Sequence, residues 1–142
     1  MLIADLLRHK GSDVVTIGPD DSVAELVSRL AEHHIGGLVV LDHDEIAGIV
    51  TERDVVRRLH EDGAATLALP VSAVMTRAVV SCVADEPLDS VASTMTDMRI
   101  RHMPVVEHRR LIGIVSIGDV VAARIRTLEQ ERVQLENYIT QG

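Results

Sequence analysis

The sequence has almost no aromatic side chains: it contains one tyrosine and neither phenylalanine nor tryptophan. The stacking platforms that hold single-stranded nucleic acid are therefore absent. Acidic residues outnumber basic ones, and the net charge of −8 argues further against a surface for nucleic acid or anionic membranes. This balance still leaves room for a small local basic pocket.

Cysteine is equally scarce. Cys82 is the one cysteine, so no internal disulfide can form, and a reducing compartment fits this composition. No apolar run approaches the roughly 20 residues of a membrane span. Residues 1–5 show neither the basic start nor the long apolar core of a signal peptide. We therefore expect a cytoplasmic protein without a membrane segment.

An internal repeat is the strongest feature of what is present. Adding 65 to each residue number from Val14 to Val56 gives a second copy without a gap, and 13 of the 43 positions are identical. Residues 71–75 resemble residues 3–7 in the same way. Neither copy is long enough to bury a good core alone. The repeat therefore predicts two halves that share their packing.

Apolar spacing and turn residues assign the elements of each copy as strand, helix, strand, strand, helix. In the first copy we expect a lead-in helix and then these five elements, over residues 2–9, 14–17, 22–34, 38–41, 46–50 and 51–61. Val79–Val80 repeats the first strand, and residues 87–98 repeat the first long helix. The predicted fold is α/β (α+β), with two β-α-β-β-α repeats about a pseudo-two-fold axis.

The last helix is predicted to run from Asp119 to about Tyr138. It carries an apolar stripe at helical spacing, interrupted by Arg132, and we favour its burial between subunits over packing back on the same chain. The stripe consists of Val121, Ile125, Leu128, Leu135 and Ile139. The predicted divisions of the chain are residues 1–61, a small-residue linker at 62–70, residues 71–126 and a helical extension at 127–142.

One motif occurs twice at the same place in the repeat: Gly48–Asp54 and Gly113–Asp119. Each has glycine, two branched apolar residues, a hydroxyl residue and an aspartate three positions later. A single copy would indicate a capped helix start and nothing more, because a hydroxyl residue followed by an acid at the third position is the capping-box pattern. Two copies in register inside a repeat point to more than capping.

These motifs, in this order, resemble those of a tandem pair of cystathionine-β-synthase-type (CBS) domains, the Bateman module. The likeness covers residues 3–61 and 71–126, and small stand-alone bacterial CBS pairs are the most similar kind. The resemblance implies an adenine nucleotide in the cleft between the domains, with the motif aspartate on the ribose hydroxyls. AMP is the first expectation, and ADP, ATP, NAD or an S-adenosyl compound are the others. No metal is required.

The resemblance also implies two clefts, each built from the motif of one domain and the strands of the other. The first cleft is expected to contain Ile49, Thr51, Arg53, Asp54, Val80, Ser81, Arg101, His102, Met103 and Pro104. The second is expected to contain Ile114, Ser116, Asp119, Val15, Thr16, Gly36, Gly37, Leu38 and Val39.

The two clefts differ in charge. Arg101 and His102 offer cations to a phosphate in the Asp54 cleft, whereas Gly36 and Gly37 stand at the equivalent positions of the Asp119 cleft. Arg53 adds a further charge, and its counterpart is Gly118. We therefore expect the tighter phosphate site at Asp54. The Asp119 cleft is expected to be weak, to prefer a less charged ligand, or to bind the far half of a dinucleotide.

Three other functions are open to this sequence. An enzyme is disfavoured because the histidines lack metal-ligand spacing and Cys82 is expected to be a small buried apolar residue. A ligand-independent module for structure or oligomerisation is the main alternative. In either case, we expect a homodimer through the CBS helices and the last helix, with a regulated protein as a further partner. Nucleic-acid binding is disfavoured by charge and composition.

Overall fold

A computed structural model describes residues 1–141, which form five α-helices and two small sheets. In chain order the elements are α1 (Ile3–Lys10), β1 (Thr16–Ile17), α2 (Val23–His33), β2 (Gly37–Asp42), β3 (Glu45–Thr51), α3 (Glu52–Asp62), two 3₁₀ turns (Gly63–Ala68 and Val71–Ala73), α4 (Leu88–Met98), β4 (His102–Glu107), β5 (Arg110–Ser116) and α5 (Ile117–Gln141). The predicted fold class is confirmed.

Local sequence explains the boundaries of these elements. Ser22 caps α2 by accepting a hydrogen bond from the Glu25 amide at 3.1 Å. The hairpins β2–β3 and β4–β5 each turn on two residues with positive φ, as the tight turns that suit twisted strands require. These residues are His43 and Asp44 in the first hairpin and His108 and Arg109 in the second.

The second half departs from the predicted repeat in two places. The expected strand at Val79–Val80 does not form, and the parallel pairing that joins β1 to β2 is reduced to a single bridge between Cys82 and Val105. The expected helix at Val71–Met75 is one 3₁₀ turn at Val71–Ala73. The helix cannot continue beyond this turn because Thr76 pairs as extended backbone with Ile49 at the edge of β3.

The segment before each repeat packs on the opposite repeat. Ile3, Leu6 and Leu7 of α1 are buried in a core built from α4, β4, β5 and α5. Val71, with Leu69, Val74 and Met75 beside it, belongs to the core of α2, β2, β3 and α3. We call residues 1–10 and 69–76 the lead-in segments. Each core thus draws on both sequence repeats, and the division of the chain at residues 61 and 71 stays a prediction.

The same three backbone hydrogen bonds fix both lead-in segments. In the first half, they are Val71 N to Asp21 O at 2.8 Å, Ser72 N to Pro19 O at 3.0 Å and Val23 N to Leu69 O at 2.9 Å. In the second half they are Ile3 N to Glu86 O at 3.0 Å, Ala4 N to Ala84 O at 2.8 Å and Leu88 N to Met1 O at 2.9 Å. The two halves are therefore built alike even where their helices differ.

The first glycine of each motif makes room for a lead-in segment. A Cβ atom at Gly113 would lie 2.6 Å from Cδ2 of Leu7, and one at Gly48 would lie 2.8 Å from both Met75 Sδ and the Thr76 carbonyl oxygen. These distances are too short for any side chain to be added without movement. The motif glycines therefore allow the close approach on which the crossed packing depends.

The two glycines predict unequal effects of the same substitution. The Thr76 carbonyl near Gly48 is held by the Ile49 amide at 2.9 Å and cannot yield, whereas the Leu7 side chain near Gly113 can rotate. We expect Gly48→Ala to lower the free energy of unfolding by about 1–3 kcal/mol, and Gly113→Ala to lower it clearly less. Urea denaturation of the two full-length variants checks this. An equal or larger loss in Gly113→Ala would contradict it.

Candidate functional site

Both motifs fold as a strand that turns directly into a helix. The Thr51 amide donates to Asp54 Oδ2 at 2.9 Å, and the Ser116 amide donates to Asp119 Oδ2 at 2.9 Å. The Ser116 hydroxyl also accepts from the Asp119 amide at 3.2 Å, which completes a reciprocal cap. The capping interpretation of the motif is therefore correct, and in each case it uses Oδ2 of the aspartate.

The helix starts are also tied to the residues that precede the middle strand of the same half. The Glu52 amide donates to the Gly36 carbonyl at 3.0 Å, and the Ile117 amide donates to the Arg101 carbonyl at 2.9 Å. The first motif thus lies beside the start of β2, and the second motif lies beside the start of β4. The backbone around Arg101 is accordingly held by the second motif, although the sequence assigns its side chain to the first cleft.

His102 lies between the two motifs. His102 pairs with Ser116 of the second motif in the β4–β5 hairpin. Its ring packs against Gly37, and Gly37 pairs with Thr51 of the first motif in the β2–β3 hairpin. A Cβ atom at Gly37 would lie 3.1 Å from Cγ and Nδ1 of His102. Because Gly37 is the repeat equivalent of His102, the two equivalent positions face each other, and only one can carry a large side chain.

The His102 imidazole is held in its neutral form. Burial lowers its pKa below the ordinary value; Glu52 and Asp119 oppose this shift, and Arg101 and Lys10 add to it. Nδ1 of His102 is buried and makes no hydrogen bond with any atom of residues 1–141. A buried nitrogen without a hydrogen-bond partner is costly.

Three arginines line one open groove of about 490 Å³. Arg53 comes from the first turn of α3, Arg101 precedes β4, and Arg99 ends α4 in the left-handed conformation. The remaining lining residues are Met95, Thr96, Ile100 and Ile117. The structure thus brings Arg53 and Arg101 of the first predicted set together with Arg99, whereas Thr51, Asp54 and His102 of that set do not line this groove. In the described part of the chain, none of the three arginines forms an ion pair.

Lys10 is a basic residue on the Asp119 side that the sequence analysis did not name. Its ammonium group lies 2.6 Å from Asp119 Oδ2 and 2.8 Å from the Ile114 carbonyl oxygen. Burial raises the pKa of Asp119, but the hydrogen bonds from Lys10 and the Ser116 amide outweigh it, so the pKa lies below its usual value. Lys10 was missed because it reaches the site from α1, which the sequence assigns to the other half.

Thr76 contacts the aspartate of the first motif. Its hydroxyl donates to Asp54 Oδ1 at 3.4 Å, and its backbone pairs with Ile49 on the edge of β3. Like Lys10, Thr76 comes from a lead-in segment. Both residues reach the aspartates because each lead-in segment packs on the opposite repeat. The linear repeat does not show this packing, so the sequence analysis could not predict either contact.

The remaining predicted residues fall into two groups. Leu38 and Met103 are in the two cores, and Val39 and Pro104 are buried opposite Ile49 and Ile114 in the sheets, so these four residues present almost no exposed surface to a ligand. Val15, Thr16, Val80 and Ser81 are at least partly exposed; Val15 and Val80 border the cores, and the Thr16 carbonyl accepts from Arg29 at 2.6 Å.

Cys82 is unsuited to nucleophilic chemistry. It is buried in the core that contains α1, and burial, with a smaller contribution from Glu86, raises the pKa of its thiol to about 12. The thiol therefore stays protonated at neutral pH. Among residues 1–141, no three His, Cys, Asp or Glu side chains cluster closely enough to hold a metal ion. No helix in this part of the chain has the length and apolarity needed to span a bilayer.

Comparison with known proteins agrees with the geometry. The family model of the CBS domain matches residues 3–61 and 71–126. The mitochondrial CBS domain-containing protein CBSX3 of Arabidopsis thaliana is 34% identical over 99% of this chain and 72% of its own length. The crystal structure of the CBS-domain-containing protein ATU1752 from Agrobacterium tumefaciens matches with a TM-score of 0.85 and 48% identity, over 87% of this chain and 99% of that one.

A third relative was solved with ligands. The CBS domain pair of protein MJ0100, in complex with 5′-methylthioadenosine and S-adenosyl-L-methionine, matches with a TM-score of 0.77 and 30% identity. The match covers 87% of this chain and 98% of that chain. The repeat, the duplicated motif, the fold and these relatives agree: the chain belongs to the CBS-domain family and contains two CBS repeats.

Proposed function

We propose that this protein is a regulatory module that binds an adenine nucleotide between its two CBS repeats and has no catalytic activity. AMP is the first candidate, and ADP, ATP and NAD follow. Support comes from the MJ0100 domain pair, whose two ligands both contain adenosine. The proposed role is to sense the energy or redox state of the cytoplasm.

The two motif aspartates carry this proposal. Capping occupies Oδ2 of each, and Asp119 Oδ1 accepts no hydrogen bond from the described residues, while Asp54 Oδ1 accepts one long bond from Thr76. Each aspartate thus retains a carboxylate oxygen that can accept hydrogen bonds from ribose hydroxyls. The helix N-terminus beside it adds a positive dipole end that favours a phosphate.

The arginine groove supports a phosphorylated ligand. Three cations without ion-pair partners in residues 1–141 line one groove of a chain whose net charge is −8. Holding three positive charges close together costs energy that an anion would recover. Arg53 extends from the helix that carries Asp54, so the proposed phosphate position is beside the first motif. The tighter phosphate site at Asp54 stays a prediction.

Nucleotide binding by the Asp54 variants tests the proposal. Calorimetric titration of wild type, Asp54→Asn and Asp54→Ala with AMP, ATP and NAD should show binding that both substitutions weaken at least tenfold, because each removes the charged ribose acceptor. Asp54→Asn is the matched control, since its amide oxygen can still accept from the Thr51 amide and cap α3. Asp119→Ala compares the second site and should affect phosphate ligands less.

Three results would contradict this function. Absence of binding by nucleotide-free wild type would favour the ligand-independent oligomerisation module. The same alternative would be favoured if Asp54→Ala lowered the free energy of unfolding by about 0.5–2 kcal/mol, as the loss of a helix cap does, while nucleotide affinity stayed unchanged. Recovery of altered nucleotide after long incubation would contradict the absence of catalysis.

His102 predicts proton uptake on binding. Burial lowers its pKa, so the neutral imidazole predominates in the free protein at the ordinary His pKa. A phosphate beside it would raise that pKa, and binding should then take up a proton between the two values and tighten as the pH falls through them. Calorimetry at pH near 6 in two buffers of different ionisation enthalpy measures this uptake. It should be smaller in His102→Gln, and equal uptake would contradict a phosphate contact.

The apolar stripe on α5 supports a homodimer. The structure leaves the stripe unburied, with Val121, Ile125 and Leu128 each 51% exposed, Leu135 61% and Ile139 71%. Packing back on the same chain therefore does not occur. We propose that a second copy covers the stripe, together with the other CBS helices, and that ligand binding is transmitted to a regulated protein through this assembly.

Charge substitutions on the stripe test the dimer. Ile125→Glu with Leu135→Glu should convert a dimer of the 15.5 kDa chain into a monomer in sedimentation equilibrium, because two carboxylates would be buried without partners. Gln134→Glu adds a charge on another face of the same helix and should leave the dimer intact. A monomeric wild type, or a dimer that survives both substitutions, would contradict the proposal.

A further inference from the structure

Lys10 and Thr76 make equivalent contacts in the two halves with different chemistry. The Thr76 amide donates to the Ile49 carbonyl at 2.8 Å, and its hydroxyl donates to Asp54. In the other half, the Lys10 ammonium alone donates to the equivalent Ile114 carbonyl at 2.8 Å and to the equivalent Asp119. A cation thus replaces a neutral amide and hydroxyl.

The different lead-in segments explain this exchange. The second segment leaves its 3₁₀ turn at Ala73, and Thr76 pairs with the edge of β3 as extended backbone. The first segment stays helical to Lys10 and ends at Gly11, whose φ of 91° suits glycine. Helical residues use their amides within the helix, so the Ile114 carbonyl receives a side chain instead.

The exchange changes the charge that a ligand would meet. Asp54 has no cation bonded to its carboxylate among residues 1–141, whereas Asp119 is neutralised by Lys10, and both side chains of this pair are about three-quarters buried (26% and 23% exposed). A lysine ammonium has three donors, and two are used here. The third is free for a ligand without breaking either bond.

We propose that Lys10 is the specificity-determining residue of the Asp119 side, and that it selects nucleosides bearing a phosphate over the same nucleosides without one. This inference rests on the proposed function, since it concerns ligands held by the motif aspartates. It reverses one of the three expectations for the Asp119 cleft, namely that this cleft prefers a less charged ligand. The Asp54 side takes its cations from the arginine groove, and the Asp119 side takes its cation from α1.

The test compares AMP with adenosine. In the Asp54→Ala protein, which lacks the ribose acceptor of the first motif, calorimetry reports on the Asp119 side. Adding Lys10→Met should weaken AMP binding about tenfold and change adenosine binding less than about twofold, because only AMP offers a phosphate. Lys10→Arg keeps a cation and should retain part of the preference for AMP. Thermal melts without ligand establish that each variant is folded.

Moving the lysine to the other half tests whether the preference for AMP moves with it. Thr76→Lys in the Asp119→Ala protein places an ammonium at the position equivalent to Lys10 and should raise the ratio of AMP to adenosine affinity on the Asp54 side. The backbone pairing of Thr76 with Ile49 does not depend on its side chain.

Several outcomes overturn the inference. One is an AMP-to-adenosine ratio that Lys10→Met leaves unchanged, and another is tighter adenosine binding with constant AMP affinity, since Lys10 would then only compete for Asp119. Absence of binding by Asp54→Ala while wild type binds also overturns it. Absence of binding by wild type overturns the proposed function itself, so the two failures are distinguishable.

Discussion

The crossing of the lead-in segments is the constraint on which the rest of the structure depends. Each segment fills the core of the opposite repeat and is held by the same three hydrogen bonds. The close approach is possible because the strand beside it has a glycine, Gly48 or Gly113. The first residue of the duplicated motif is thus explained by packing, and its last residue by capping and by the charge it presents.

The repeat has diverged where the halves meet. At the centre, the equivalent positions are Gly37 and His102, and the imidazole of one occupies the space that the other leaves. Beside the aspartates, the equivalent contacts are made by Thr76 and Lys10. The two sites therefore share their backbone arrangement and differ in charge. Each difference arises from one pair of residues.

The sequence predicted the repeat, the fold class, most elements of the first half and the caps at Thr51 and Ser116, because these depend on local spacing. It did not predict Lys10, Thr76 or Arg99 at the candidate sites. These residues reach their positions through crossed packing and through a helix end, and neither has a signature in linear spacing. The second half lacks the expected first strand, and its lead-in segment becomes extended where Thr76 pairs with β3; a repeat-based alignment cannot show either difference.

Lys10, which the sequence analysis did not place beside Asp119, illustrates the limit of prediction from linear spacing. Gly36 and Gly37 correctly indicated that no basic residue precedes the strand, yet α1 supplies one from a distant part of the chain. Charge at a site is a property of all elements packed there. Residues close in sequence to the motifs and strands therefore predicted two arginines of the groove, Arg53 and Arg101. They could not predict Lys10, which comes from α1.

The crossed segments also have a consequence for how such a chain arises. If a single repeat with its lead-in segment were two separate molecules, each would insert its segment into the other, and the product would be a domain-swapped dimer. This chain has the topology of that dimer, with its two halves joined by residues 62–68. Joining them makes the exchange intramolecular and independent of concentration, and it frees each copy to change alone. Because the two halves are parts of one chain, their sites need not be identical, as the different contacts of Lys10 and Thr76 show.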